Sequence, residues 1–94
     1  MDLRHAVIAL NDEDPVSVLP DLDIDVNYDV SFSVQNISDN VVYLGNSGLS
    51  QSSFGIKLVS GATASFEGVS RLFPLYGISE SGTSASVAVL RVSM

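Results

Sequence analysis

Apolar and polar positions alternate almost without fault from Leu22 to Val34. Leu22, Ile24, Val26, Tyr28, Val30, Phe32 and Val34 share one parity, and Asp21, Asp23, Asp25, Asn27, Asp29, Ser31 and Ser33 share the other. A period of two over this length excludes a helix and predicts a strand with one face in the core and one wet, acidic face. The run exceeds the usual strand of about five or six residues, so a bend or bulge is expected near Asn27, dividing it between two sheet positions. Downstream, Val41-Val42-Tyr43-Leu44 is β-branched and aromatic and runs into Gly45-Asn46-Ser47-Gly48, whose residues tolerate the positive φ of a reversal. It reads as a strand feeding a loop, with the long alternating run as its partner strand.

The same grammar extends in both directions. Arg4 to Leu10 is a first strand, stopped by the turn-formers Asn11 to Pro15. It is open to two readings, an edge strand of its own domain or, with the rest of residues 1–20, an N-terminal arm that adds to a neighbour's sheet. Val16 to Leu19 lies between Pro15 and Pro20 and reads as an edge or linker. Gln35 to Asn40 is a polar turn. Strands follow at Ile56–Val59, Ala62–Phe66 (Ala62, Ala64 and Phe66 inward), Leu75–Ile78 and Ser84–Val92, separated by turns at Ser60-Gly61, Glu67-Gly68 and Ser79–Thr83, the last read as a hairpin. Arg71-Leu72-Phe73-Pro74 reads as an ordered insertion. Strands and turns recurring about every 8 to 12 residues, with no helical stripe, predict an all-β fold: a small antiparallel β-sandwich or barrel-like domain of about seven to eight strands.

Composition narrows what such a domain can do. Ninety-four residues suffice for one domain spanning 1–94 and for no second core. With no cysteine, neither a disulfide nor a thiolate is available. No run approaches the roughly 18 apolar residues of a membrane span, and no signal peptide is evident, which predicts folding in a cytoplasm. The net charge of −7 is lopsided: residues 1–40 hold eight aspartates, Glu13 and a single cation, Arg4, whereas residues 41–94 are close to balanced. Four scattered cations do not make a phosphate-binding surface, so nucleic-acid binding is not expected.

Catalytic and metal chemistry find little to stand on. His5 is the sole histidine, and no Gly-x-Ser-x-Gly elbow accompanies it. Zinc lacks its ligands. Asp21-x-Asp23-x-Asp25 opens like a calcium loop, but Val26 and Phe32 occupy the positions where that loop needs glycine and a bidentate glutamate. A solvated strand face is the better reading, with loose cation binding between subunits the alternative. Gly45-Asn46-Ser47-Gly48 lacks the lysine and helix of a phosphate cradle. No cofactor is expected. What remains are four apolar side chains in polar loops, Leu49, Phe54, Leu72 and Phe73, each either a core plug or an interface residue.

Six segments, Val34-Gln35-Asn36, Val41 to Ser47, Gly55-Ile56-Lys57-Leu58, Gly61 to Phe66, Leu75-Tyr76-Gly77-Ile78-Ser79 and Ala85 to Val92, follow in an order that resembles small tailed-bacteriophage virion proteins and fibre-associated modules. The likeness covers roughly the last 60 residues; the stretch Val69–Pro74 and the acidic first 30 residues depart from it. The resemblance implies a non-enzymatic β-sandwich, a capsid decoration protein that binds the major capsid protein, forms a homo-oligomer (trimer or dimer) and stabilises capsomer contacts through Leu49, Phe54, Leu72 and Phe73. A tail, collar or fibre-attached module aiding adsorption and a monomeric domain for a host protein or glycan are the alternatives.

Overall fold

The structure, a computed structural model, describes residues 2–18, 30–69 and 75–93. These form eight strands: β1 (Asp2–Leu10), β2 (Val16–Ser17), β3 (Val30–Asn36), β4 (Val42–Gly45), β5 (Ile56–Leu58), β6 (Thr63–Val69), β7 (Tyr76–Ser79) and β8 (Ala85–Ser93). The acidic half of the long alternating run, the expected bend at Asn27, the Asp21/Asp23/Asp25 face and the Arg71–Pro74 insertion lie outside the described residues.

The strands make two four-stranded antiparallel sheets, one in the order β1-β8-β3-β6 and the other β2-β7-β4-β5. Within them β1 pairs with β8, β2 with β7, β3 with β6 and β4 with β5. Each pair sums to nine, so the chain wraps as one long folded hairpin around a barrel: the jelly-roll arrangement, a form of sandwich built from two Greek keys. The all-β antiparallel reading of the sequence therefore holds, with β1 docked on its own chain.

Two pairings read from the sequence are corrected. β3 is not the partner of β4: it lies in the first sheet between β8 and β6, while β4 sits in the second between β7 and β5. Likewise 80–84 is an arch that carries the chain between sheets, not a hairpin. The physical reason is common to both. A strand buried on one face satisfies its ladder with any antiparallel neighbour, and the nested wrapping selects distant neighbours over sequential ones. The arch is nevertheless a tight turn, closed by Thr83 N–H to the Glu80 carbonyl (3.1 Å) with Gly82 at φ 80°. A side chain at that φ would be strained. Gly61, at φ 81°, does the same for the turn in which Ala62 N–H donates to Val59 O (3.0 Å).

Between the sheets Leu10, Val18, Phe32, Val34, Val42, Leu44, Leu58, Leu75, Ala85, Val87 and Val89 form the core. Phe32 and Phe66, opposite one another on β3 and β6, stack at 4.9 Å. Arg91 is also buried, its side chain taking the inward parity of Val87 and Val89. The two sheets are tied at one end by Asn36, which is fully buried. Its Nδ2 donates to Leu58 O of the second sheet (2.9 Å) and to Asn40 O (2.6 Å). Its Oδ1 accepts from the Ser38 N–H (3.0 Å) and hydroxyl (2.7 Å).

Candidate interaction surface

The two sheets treat their outer faces differently. On the second sheet, Tyr43 and its register partner Ile78 point away from the core, since their neighbours Val42 and Leu44 belong to it. Ile78 is nonetheless only 1% exposed. The loop 46–55 supplies the cover by folding back over this face. Gln51 Nε2 donates to Ser79 O (3.0 Å) and to Asp12 O (2.7 Å), and the Phe54 ring leans on Tyr43 at 4.6 Å. Leu49 packs so close to Gly45 that a Cβ there would meet its Cδ1 at 3.2 Å.

This places the residues singled out from the sequence. Leu49 is 5% exposed, outside the inter-sheet core, and plugs the loop onto its own sheet; it is not available to a partner. Phe54 is 45% exposed and keeps one side open, beside a shallow cleft of about 270 Å³ lined by Gly45, Asn46, Ser53 and Gly55. Leu72 and Phe73 lie outside the described residues.

The outer face of the first sheet has no such cover among the described residues. Register fixes its rows: His5, Leu90, Ser33 and Ser65 run across β1, β8, β3 and β6, and Val7, Ala88, Gln35 and Thr63 form the next row. Val7 is 64% exposed and Leu90 43%, and the two are diagonal neighbours across β1 and β8, within reach of one another. A shallow depression of about 240 Å³ runs over these rows. The polar side is internally satisfied in part: Ser33 and Ser65 hydroxyls lie 3.1 Å apart, and Gln35 Nε2 reaches Gly61 O at 3.4 Å.

No family model, curated protein or solved structure matches this chain. The face must therefore be judged on its chemistry. Adding Ala9, Ser86 and Ser31, none of the described outward side chains of this sheet is Asp, Glu, Lys or Arg, in a chain that carries fifteen such residues. Depletion of charge with exposed aliphatic side chains is the composition of an interface centre; a solvated sheet face normally carries charge. The depression offers nothing that could transfer a proton except His5, and among the described residues no group of three or more His, Cys, Asp or Glu converges anywhere.

This surface was missed in the sequence, although a signal was present. Ala6 to Leu10 and Val87 to Leu90 do not alternate; they are apolar at both parities. Apolar residues at both parities mark a strand whose outer face is as apolar as its inner one.

Proposed function

We propose that the chain is a non-enzymatic structural module of a tailed-bacteriophage virion, a capsid decoration protein that seats the outer face of the β1-β8-β3-β6 sheet, whose described side chains carry no Asp, Glu, Lys or Arg, on the major capsid protein and stabilises capsomer contacts. The observation that carries the surface reading is the patch of Val7, Ala88 and Leu90, left bare among the described residues by a fold that covers its other sheet with its own loop. The assignment to a virion rests on the resemblance of β3 to β8. Its docking residues change accordingly: Leu90, Val7 and Ala88 take the place of Leu49. The acidic segment 21–29 and the acidic turn 12–14 keep the unbound protein soluble while the apolar face waits for its partner.

The mechanism is mechanical. A preformed, rigid sheet face binds without ordering entropy, and each capsomer pair it bridges is held closed by the affinity of that contact. The test is co-sedimentation with capsids, lacking the protein, of the phage that encodes it. Leu90→Glu leaves the fold intact, because Leu90 already faces solvent, and buries an unpaired charge in the complex, so occupancy falls by roughly tenfold or more. Wild-type occupancy by the variant would overturn the surface assignment, and a chain that fails to bind such capsids at all would overturn the virion reading. A second reading, a glycan-binding domain, draws on the half-exposed Phe54 ring beside the polar cleft of Asn46 and Ser53. Saturable glycan binding that Phe54→Ala abolishes would favour it.

A further inference from the structure

A sheet edge is a template for another chain, and folded proteins blunt their edges. Three of the four edges here are blunted. β2 has two residues and follows Pro15; β5 has three and carries Lys57; β6 is irregular, its register with β3 shifting between Val30 and Phe32. β1 is not. It runs nine residues in unbroken register with β8, about 30 Å long, with no proline or bulge and with its charged residues, Asp2 and Arg4, confined to its first half, and among the described residues it has no neighbour on its other side.

The sequence of that edge is complementary to itself when reversed. About Ile8, Val7 falls opposite Ala9, Ala6 opposite Leu10 and His5 opposite Asn11. Apolar meets apolar and polar meets polar. Beyond Asn11 the chain bends away, its Oδ1 accepting from the N–H groups of Glu13 (2.9 Å) and Asp14 (2.7 Å), so the ladder stops there and Asp2 is not held against Asp14.

We propose that two copies of the chain pair antiparallel through the free edge of β1, about a two-fold axis at Ile8, joining their first sheets into one continuous eight-stranded sheet. Such an isologous contact closes on itself, as a dimer and not a fibre. It sets the two outer faces side by side, so the dimer presents a doubled surface and gains avidity toward any partner with repeated sites. The pairing stands apart from the virion reading, since it needs no capsid.

The chain has no cysteine, which makes the register directly readable. Residues directly opposite in an antiparallel pair have Cα atoms about 4.5 to 5.5 Å apart, within disulfide range, and diagonal ones fall outside it. Val7 and Ala9 are both exposed and outward, so Val7→Cys and Ala9→Cys fold normally. Under mild oxidation a mixture of the two variants should give several-fold more covalent dimer than either variant alone, and sedimentation velocity of the wild-type chain should show a monomer–dimer equilibrium. A chain that stays monomeric to millimolar concentration overturns the proposal. So does a mixture that cross-links no better than its components. Leu90→Glu, one strand in from the edge, should leave the cross-link unchanged; its loss would mean that copies meet face to face, again overturning the edge pairing while sparing the surface.

Discussion

Asn36 is where the stability of this sandwich can be tested most sharply. It ends β3 in the first sheet and donates to Leu58 O in the second, and every hydrogen-bonding group it owns is used: the backbone N–H goes to Ala62 O (2.9 Å) and the carbonyl accepts from Gly61 N–H (2.8 Å). Asn36→Ala keeps the backbone bonds and removes four side-chain bonds. Their losses are unequal. Asn40 O retains the Ser38 hydroxyl at 3.2 Å, and the Ser38 groups are only partly buried, so water replaces much of what they lose. Leu58 O is buried and left without this donor, which costs about 1–3 kcal/mol, with about half a kcal/mol for each of the part-buried bonds. The total is about 3 kcal/mol. For a domain of this length each kcal/mol lowers Tm by roughly 4–8 °C, so a fall of about 12–24 °C is expected. Asn36→Asp separates the two halves of the network. It keeps the acceptors for Ser38 but turns a carboxylate oxygen toward the carbonyls of Leu58 and Asn40, and should be at least as destabilising as alanine at neutral pH. Thermal unfolding followed by circular dichroism, with urea titration for the free energy, reads both. An Asn36→Ala protein within 1 kcal/mol of wild type would refute the claim that this side chain ties the sheets.

Two further outcomes follow from packing. Leu49→Ala should cost about 2–3 kcal/mol and raise protease cleavage within 46–55, because it removes the plug of the loop, whereas Phe54→Ala, half exposed, should cost less than about 1.5 kcal/mol; limited proteolysis and unfolding midpoints separate them, and equal effects would contradict the assigned roles. Gly77→Ala would set a Cβ at 3.1 Å from Leu10 Cδ1 and 3.3 Å from Val18 Cγ1, overpacking the core by about 1–3 kcal/mol, and a Tm at or above that of the wild type would show that Leu10 has room to give.

Much of the architecture is legible in the residues because a strand with one buried face advertises its period. Phe32, Val34 and the inward set Ala85, Val87 and Val89 follow it. Pairing is less legible. Nothing in Val41 to Gly45 tells it to accept β7 and β5 over β3, since backbone donors and acceptors are identical in every strand and the choice is made by how the whole chain wraps. The loop plugs show a second limit. Leu49 and Phe54 are alike in sequence, each an apolar residue among serines and glycines, and only the fold-back fixed by Gln51 decides that one is buried and the other half exposed. Asn36 reads as part of a polar turn, and Arg91 only as one residue of the last strand. Both are buried, because the sandwich closes over them.

The asymmetry between the two outer faces carries the functional argument further than any single residue. Covering the second sheet takes a ten-residue loop with Leu49 as its plug and Gln51 as its tether, and the result is an Ile78 as dry as the inter-sheet core. The first sheet exposes Val7 and Leu90 on the same parity and has no equivalent loop among the described residues. A chain with eleven acidic residues has ample charge with which to solvate that face, as the alternation from Asp21 to Ser33 makes plain, yet none of the described outward side chains there is one of them, and seven of the eleven fall in the 12–14 turn and in the segment 21–29 before β3. Where charge is abundant and the described side chains of one sheet face lack it, solubility does not explain the face, and the contact proposed above would. The edge of β1 obeys the same logic, since His5, Val7 and Ala9 belong to both the face and the edge, and a partner that covers one must reckon with the other. Copies joined edge to edge leave the faces free for a second surface; copies joined face to face would consume them, and the Leu90→Glu cross-link distinguishes these arrangements in one gel.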